Sequence, residues 1–311
     1  MGKTVDEILE QIGQMGRFQI SRLSMFCFLM SPAIFQLLNM YYLAAEAPWQ
    51  CVKNSTECKL NGSFVAGDYD YDFRCKINRS EWEYARYEGP HDSIVSEFDL
   101  VCDQAAYGSL AISISAIGEA IFSIPLGLLS DRYGRLWTLY PCLFIMITVG
   151  FASAFATKYW HYLVSRLFSG AVMFGVLYSI SSLSGEFVGP RYRPLSQIVT
   201  WTAATFELLI LTLMAYFVRT WRTLTILCTA PWIVGLVFAK FTQESSRWYL
   251  THDKADKAEK NLREIAKVNR KKYPDEKLKI PEVSQESRFN CLALFSSLTL
   301  VISILIQAFV W

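Results

Sequence analysis

Long apolar runs separated by short polar joints fill most of the chain. Seven runs cover residues 23–45, 105–130, 136–157, 159–183, 195–217, 221–241 and 292–311. Each approaches the ~20 apolar residues that a bilayer-spanning helix requires. Pro32, Gly118, Pro125, Gly170, Gly175 and Pro231 fall inside them, and membrane helices tolerate such residues better than soluble ones. The pattern predicts an all-α integral membrane protein with about seven transmembrane helices. Two polar intervals break the rhythm, at 46–104 and 242–290. Ahead of the first run, Val5, Ile8, Leu9 and Ile12 recur at helical spacing, which predicts an amphipathic helix lying in the membrane interface. The first run is too long for the apolar core of a cleaved signal peptide.

Composition agrees with a membrane protein: 52% of the 311 residues are hydrophobic and the net charge is only +2, which gives no ground for a nucleic-acid partner. The position of the charges says more than their sum. If the N-terminus is cytoplasmic, the short inner joints carry Arg132 with Arg135, and Arg191 with Arg193; the 242–290 interval adds many more lysines and arginines. The outer joints carry only Lys158, Arg219 and Arg222 outside the 46–104 interval. Basic residues favour the cytoplasmic side, so the N-terminus is predicted inside. The organisation is then a cytoplasmic amphipathic N-terminus (1–22), helix 1 (23–45), a large outer loop (46–104), helices 2–6 (105–241), a cytoplasmic helical loop (242–290) and helix 7 (291–311). In that inner loop Ala255, Ala258, Leu262, Ile265 and Ala266 share one face of a helix over about 254–269.

The outer loop holds twelve acidic and six basic residues. It also holds four cysteines, Cys51, Cys58, Cys75 and Cys102. An even number in an extracellular segment favours disulfides; three pairings are open, and spacing does not choose among them. A zinc site is disfavoured by the lack of a Cys-x-x-Cys pair, with only His91 nearby. Cys27, Cys142, Cys228 and Cys291 fall in or beside spans, where cysteine packs as a small apolar residue. Three glycosylation sequons, at Asn54, Asn61 and Asn78, cluster in this loop.

Specific motifs stand between these elements. The joint after the second run reads Gly127-Leu-Leu-Ser-Asp-Arg-Tyr-Gly-Arg135, and the outer loop closes on Ser96-Glu-Phe-Asp-Leu-Val-Cys102. Gly13-Gln-Met-Gly-Arg-Phe-Gln19 precedes the first run; Arg166-Leu-Phe-Ser-Gly170 lies in the fourth, and Gly185-Glu-Phe-Val-Gly-Pro-Arg191 at its end. Trp221-Arg222 opens the sixth, and Glu244-Ser-Ser-Arg-Trp-Tyr-Leu250 follows it. Together they resemble the organic cation/anion/carnitine transporter family of the major facilitator superfamily. The sequence departs from that family's pattern at Gln243 and Ser246, where prolines are usual, and at Leu136, where another basic residue is usual. Phe122 and Pro125 lie on a stretch of the second helix where that family tends to have glycines.

The resemblance implies an N-terminal six-helix half plus the start of a second half, acting as a plasma-membrane, multi-pass solute carrier by alternating access. It implies that the outer loop is a glycosylated, disulfide-bonded cap. It also implies a cytoplasmic gate made from Gly127, Asp131, Arg132, Gly134, Arg135, Glu186, Arg191, Glu244 and Arg247. The family has twelve spans, so the chain is expected to be truncated within helix 7. The alternative is a non-transporting truncated isoform or half-transporter that associates with a full-length relative or with a second copy.

A small organic ion, cation, anion or zwitterion, is the expected substrate, with the bilayer as surroundings and a coupled ion as a further partner. Ionisable residues inside spans are functional candidates by default; Glu119, Arg166 and Glu207 qualify. Tyr41, Tyr42, Tyr178, Trp201 and Phe206 are at depths where rings can hold a cation, although rings in membrane helices also serve as packing. The expected substrate cavity is Tyr41, Glu119, Tyr178, Trp201, Phe206 and Glu207. No catalytic constellation, cofactor motif or metal-ligand spacing is present in His91, His161 and His252 or around them, so no enzymatic activity is expected. Asp131-Arg132-Tyr133 invites a receptor reading, but it follows the second span rather than the third.

Overall fold

The computed structural model describes residues 2–53, 55–85, 93–274, 278–279 and 301–302. Among them, six helices are long and apolar enough to cross a membrane. The expected seventh span lies outside the described residues except for 301–302. The elements are α1 (Val5–Ile12), α2 (Arg17–Leu43), α3 (Ile94–Glu97), α4 (Ala106–Tyr133), α5 (Arg135–Ala154), α6 (Tyr159–Glu186) and α7 (Arg193–Phe217). They continue with α8 (Trp221–Thr229), α9 (Ile233–Val237), α10 (Ser246–Thr251) and α11 (Ala255–Val268). The sixth span is interrupted: α8 gives way to a tight turn at Ala230–Trp232 before α9. Pro231 explains the break, since it has no N–H and its ring clashes with the carbonyl one turn back.

The helices α2 and α6 are the most deeply buried spans, whereas α4 and α7 leave most of their surface open. The tightest crossing is between α4 and α6. A side chain at Gly118 would collide with the Leu167 carbonyl, and one at Gly170 with the Ser115 carbonyl. Paired small residues let membrane helices approach this closely, gaining dispersion contacts that lipid does not replace. The departures at Phe122 and Pro125 therefore do not loosen the pair, because Gly118 and Gly170 provide the contact.

The interval between α2 and α4 is a folded cap at one end of the bundle. It contains a small antiparallel sheet with order β2-β1-β3, formed by β1 (Trp49–Cys51), β2 (Ser63–Phe64) and β3 (Trp82–Tyr84). The sequence pattern did not indicate these strands. Trp49 pairs with Tyr84 and Cys51 with Trp82 in register. The Trp49 ring is fully buried and its Nε1 donates to the Tyr71 carbonyl at 2.9 Å. The disulfides join Cys51 to Cys58 and Cys75 to Cys102.

The motif that closes the cap anchors it in three directions. Glu97 accepts from the Trp221 Nε1 at 2.6 Å and pairs with Arg222, both on α8. Arg222 also donates to the Ala156 carbonyl at 2.6 Å, beyond the end of α5. Asp99 accepts the single Arg79 Nε–H, shared between its two oxygens at 3.0 and 3.1 Å, and the Tyr84 hydroxyl at 2.8 Å. Cys102 completes the second disulfide. A planar guanidinium on a carboxylate and a covalent bond thus fix both the cap's internal fold and its seat on the bundle.

At the opposite, basic end, α1 and α11 lie together. Val5, Ile8, Leu9 and Ile12 are buried, as are Ala258, Leu262, Ile265 and Ala266. The apolar stripe of α1 therefore packs within the protein rather than in the lipid interface, because α11 offers it a complementary stripe. Asn269, just past α11, holds the junction by donating to the Ile12 carbonyl at 3.1 Å and accepting from the Phe18 N–H at 2.9 Å. That second bond satisfies one of the orphan donors at the start of α2.

The glycines at the α4–α6 crossing give a direct test. Gly170→Val should lower the thermal midpoint of the detergent-solubilised protein by an amount corresponding to about 1–3 kcal/mol, the cost of overpacking. Gly127→Ala, where an added Cβ meets nothing within 4 Å, should be neutral or stabilising by about 0.5–1 kcal/mol. Equal effects of the two substitutions would refute the close-packing account.

Candidate functional site

The basic end carries the densest cluster of charged side chains. The chain leaves α4 at Gly134 with φ +120° and begins α5 at the next residue. Glycine adopts that conformation without the Cβ strain that burdens other residues, and a Cβ here would also strike the Glu244 carboxylate. The reversal aims Arg135 back across the ends of three spans. It pairs with Asp131 on α4, reaches Glu186 Oε1 on α6 at 3.3 Å, and lies 5.8 Å from the ring of Tyr178. Ser182 supports Glu186 by donating to the same oxygen at 2.8 Å.

Glu244 joins this cluster differently. It is 7% exposed and accepts from the Leu136 and Ser245 N–H groups, both at 3.0 Å. A carboxylate at the N-terminus of α5 meets unsatisfied N–H groups and the positive end of the helix dipole. Burial pushes the Glu244 carboxyl up, against the pull of those backbone donors. The segment is fixed further by the Trp248 Nε1, which donates to the Asp131 carbonyl at 2.8 Å.

Arg247 turns toward α1, where it pairs with Asp6; Arg193 reaches the same carboxylate at 2.8 Å. Asp6 was not apparent as a member of the network from sequence. Its only signal was an acidic position in the first turn of an amphipathic helix. Of the two arginines near the start of α7, Arg193 makes this contact, whereas Arg191 is exposed. Arg132 is exposed too, and lies 5.5 Å from the ring of Tyr133. The gate expected from sequence thus divides. Asp131, Arg135, Glu186 and Glu244 form one cluster around Gly134; Arg247 links it to Asp6; Gly127, Arg132 and Arg191 stand apart.

The six residues expected to line a cavity do not converge in the described structure. Tyr41 lines a cleft of about 450 Å³ at the capped end, with Tyr42, Glu46, Ser93, Arg219 and Trp221. Tyr178 lies beside Arg135 at the basic end. Trp201 and Phe206 are on the open face of α7, and Glu119 is half-buried on α4. Glu207 is 8% exposed and faces α2, where Ser31 donates to its Oε1. Arg166, 1% exposed on α6, also faces α2, with the Gln36 carbonyl and Asn39 Oδ1 each 3.4 Å away. Ser31, Gln36 and Asn39 were missed in the sequence, although polar side chains in an apolar span are a usable signal.

The family described as "Sugar (and other) transporter" matches residues 60–310. Solute carrier family 22 member 6-A of Xenopus laevis is 28% identical over 329 residues, spanning 95% of this chain and 59% of that protein. Organic cation/carnitine transporter 4 of Arabidopsis thaliana is 30% identical over 273 residues, spanning 87% of this chain and 49% of that protein. The chain therefore spans about half the length of the curated relatives it matches. Among solved structures, the xylose transporter XylE from E. coli, in a partially occluded inward-open conformation, superposes with a TM-score of 0.54. That match has 15% identity and covers 80% of this chain and 55% of the other, which supports the shared fold.

The Asp6 pairs predict a pH-dependent docking of α1. Burial pushes the Asp6 carboxyl up, but Arg247 and Arg193 outweigh it and hold the group below its ordinary value of 3.8. A depressed carboxyl stabilises the folded state above its ordinary value, and that contribution is lost as pH falls through the lowered one. At neutral pH, Asp6→Asn should speed amide exchange in α1 about three- to fivefold, a screened ion-pair effect of up to about 1 kcal/mol. Acidification below the carboxylate range should erase the difference from wild type. Identical neutral-pH exchange would show that the pairs do not hold α1.

Proposed function

Because this chain belongs to the sugar (and other) transporter family of the major facilitator superfamily, we propose that it serves a carrier that moves small organic ions across the plasma membrane by alternating access. The observation that carries this reading is the Asp131–Arg135–Glu186 cluster. It ties the ends of α4, α5 and α6 to each other, while Glu244 pins α10 to the start of α5. Such ion pairs have two discrete arrangements, made or broken, which is what a conformational switch requires. Breaking them exposes the charges to water at the membrane surface instead of stranding them in hydrocarbon.

Orientation follows from chemistry at the two ends. The capped end carries two disulfides, which belong to an oxidising compartment, and the opposite end gathers the arginines of the joints. We place the cap outside and the N-terminus in the cytoplasm. Asn61 and Asn78 are exposed on the cap and available for glycosylation; Asn54 lies outside the described residues. Of the relatives named above, the one from Arabidopsis thaliana is an organic cation/carnitine transporter by name, and the cleft at the capped end offers Tyr41 and Tyr42 rings together with Glu46 and Arg219. Rings and charges of both signs suit a small organic ion as the substrate. Transport needs no covalent chemistry from these residues.

Uptake of labelled tetraethylammonium, p-aminohippurate and L-carnitine should be measured in cells that display the protein on their surface. Uptake of at least one probe above mock-transfected cells is expected. Arg135→Ala should lower it about tenfold, within the range of a typical coupling energy, with surface display retained. Surface display without uptake of any probe would overturn the carrier reading in favour of a non-transporting partner of a longer relative.

A further inference from the structure

The seam between α2 and α7 holds a carboxyl that the gate does not use. Glu207 lies about midway along α7, buried against α2 with Ser31 donating to Oε1. Its other oxygen, Oε2, is buried and has no hydrogen-bond partner among the described residues. The Ser31 hydroxyl has one proton and is also 3.4 Å from the Cys27 carbonyl, so the support is a single, shared donor. No lysine or arginine among the described residues lies within ion-pair distance of Glu207.

The described basic groups on neighbouring elements face other partners. Among the described residues, Cys27 on α2 is a titratable side chain close enough to feel Glu207. On α6, Arg166 is turned toward Gln36 and Asn39 of α2, and Tyr178 toward Arg135. On α8, Cys228 lies beside Arg166. A bare carboxylate in an apolar span, with one donor and no cation, bears a desolvation cost that neutralisation removes. The packed seam therefore suits the carboxylic acid, with its proton on Oε2.

We propose that Glu207 and Ser31 form a proton-binding site in the α2–α7 seam, and that transport is coupled to the proton it carries. This rests on the carrier reading above. Parting α2 from α7 admits water; the Oε2–H bond then breaks, the proton passes to water, and the bonding pair stays on the carboxylate. Re-closing the seam requires a proton to return to that oxygen. The cleft at the capped end opens along the same seam, between Tyr41 and Tyr42 on α2 and Ala215 on α7 with Val218 just past its end. Between it and Glu207 along α7, Thr212 pairs with the Tyr42 hydroxyl at 2.7 Å. That exposed hydroxyl pair marks the side from which water reaches the acid.

Two measurements separate the inference from its premise. Infrared difference spectra of the full chain in nanodiscs should show the carbonyl stretch of a protonated carboxyl at neutral pH. Glu207→Gln should remove that band, whereas Ser31→Ala should retain and shift it. A wild-type spectrum without the band, or a band that survives in Glu207→Gln, overturns the site whatever happens to uptake. In proteoliposomes, an imposed proton gradient should change the rate of tetraethylammonium or L-carnitine uptake about fivefold or more, and Glu207→Gln should abolish that dependence. Uptake indifferent to the gradient in wild type overturns the coupling while leaving the carrier reading intact. A Glu207 band in a protein that takes up no probe would overturn that reading instead.

Discussion

Hydrocarbon offers no partner to a charge, and that constraint arranges this protein. Nearly every ionisable side chain of the six spans has been moved to an end, where it meets water, a backbone donor or an opposite charge. At the basic end one sharp turn at Gly134 makes this possible. It starts α5 as soon as α4 stops, so that Arg135 meets Asp131 and Glu186 while Glu244 caps the exposed N–H groups behind it. Lengthening the turn would place the guanidinium elsewhere and leave the partly buried Glu186 and the exposed Asp131 without their shared cation. The few charges that remain mid-span, Glu119, Arg166 and Glu207, are the ones that ordinary packing does not explain.

The two ends are secured by different kinds of interaction, and their consequences for motion differ. At the capped end, disulfides and the Glu97–Arg222 and Asp99–Arg79 pairs fix the outer loop to α8 and to its own sheet. Those links are covalent or multiply hydrogen-bonded, and suit a rigid lid. The basic end relies on ion pairs that water can replace. Between them, α4 and α6 are locked by Gly118 and Gly170, so the parts best able to move are the open faces and the polar α2–α7 seam.

Much of this was legible as periodicity. Six of the seven apolar runs are helices of membrane length, and the face formed by Ala258, Leu262, Ile265 and Ala266 is buried as its spacing indicated. Residues drawn from three separate motifs, Asp131 with Arg135, Glu186 and Glu244, lie together in the structure. Partners set by three-dimensional pairing were not legible. Spacing did not choose Cys51–Cys58 and Cys75–Cys102 among three possibilities, nor did it show that α11 rather than lipid covers α1. Side-chain direction was harder still. Each residue turns a helix by about 100°, so neighbours such as Phe206 and Glu207 point to opposite surroundings. Arg191 and Arg193 likewise differ, one exposed and the other bound to Asp6. Tyr178 was placed at cavity depth, but its ring lies beside Arg135.

The central claim is that the Arg135 cluster holds one end of the bundle closed and that its rupture opens that end at the expense of the other. The most direct measurement is the reactivity of single cysteines toward a membrane-impermeant thiol reagent, with Tyr41→Cys reporting the capped cleft and Gln197→Cys, which lines a pocket with Glu186, Arg193 and Arg247, reporting the basic end. Adding Glu186→Gln should raise labelling at Gln197→Cys and lower it at Tyr41→Cys, each assayed from its own side of the membrane. Labelling that rises at both sites, or changes at neither, would contradict a switch and leave the cluster as a fixed strut.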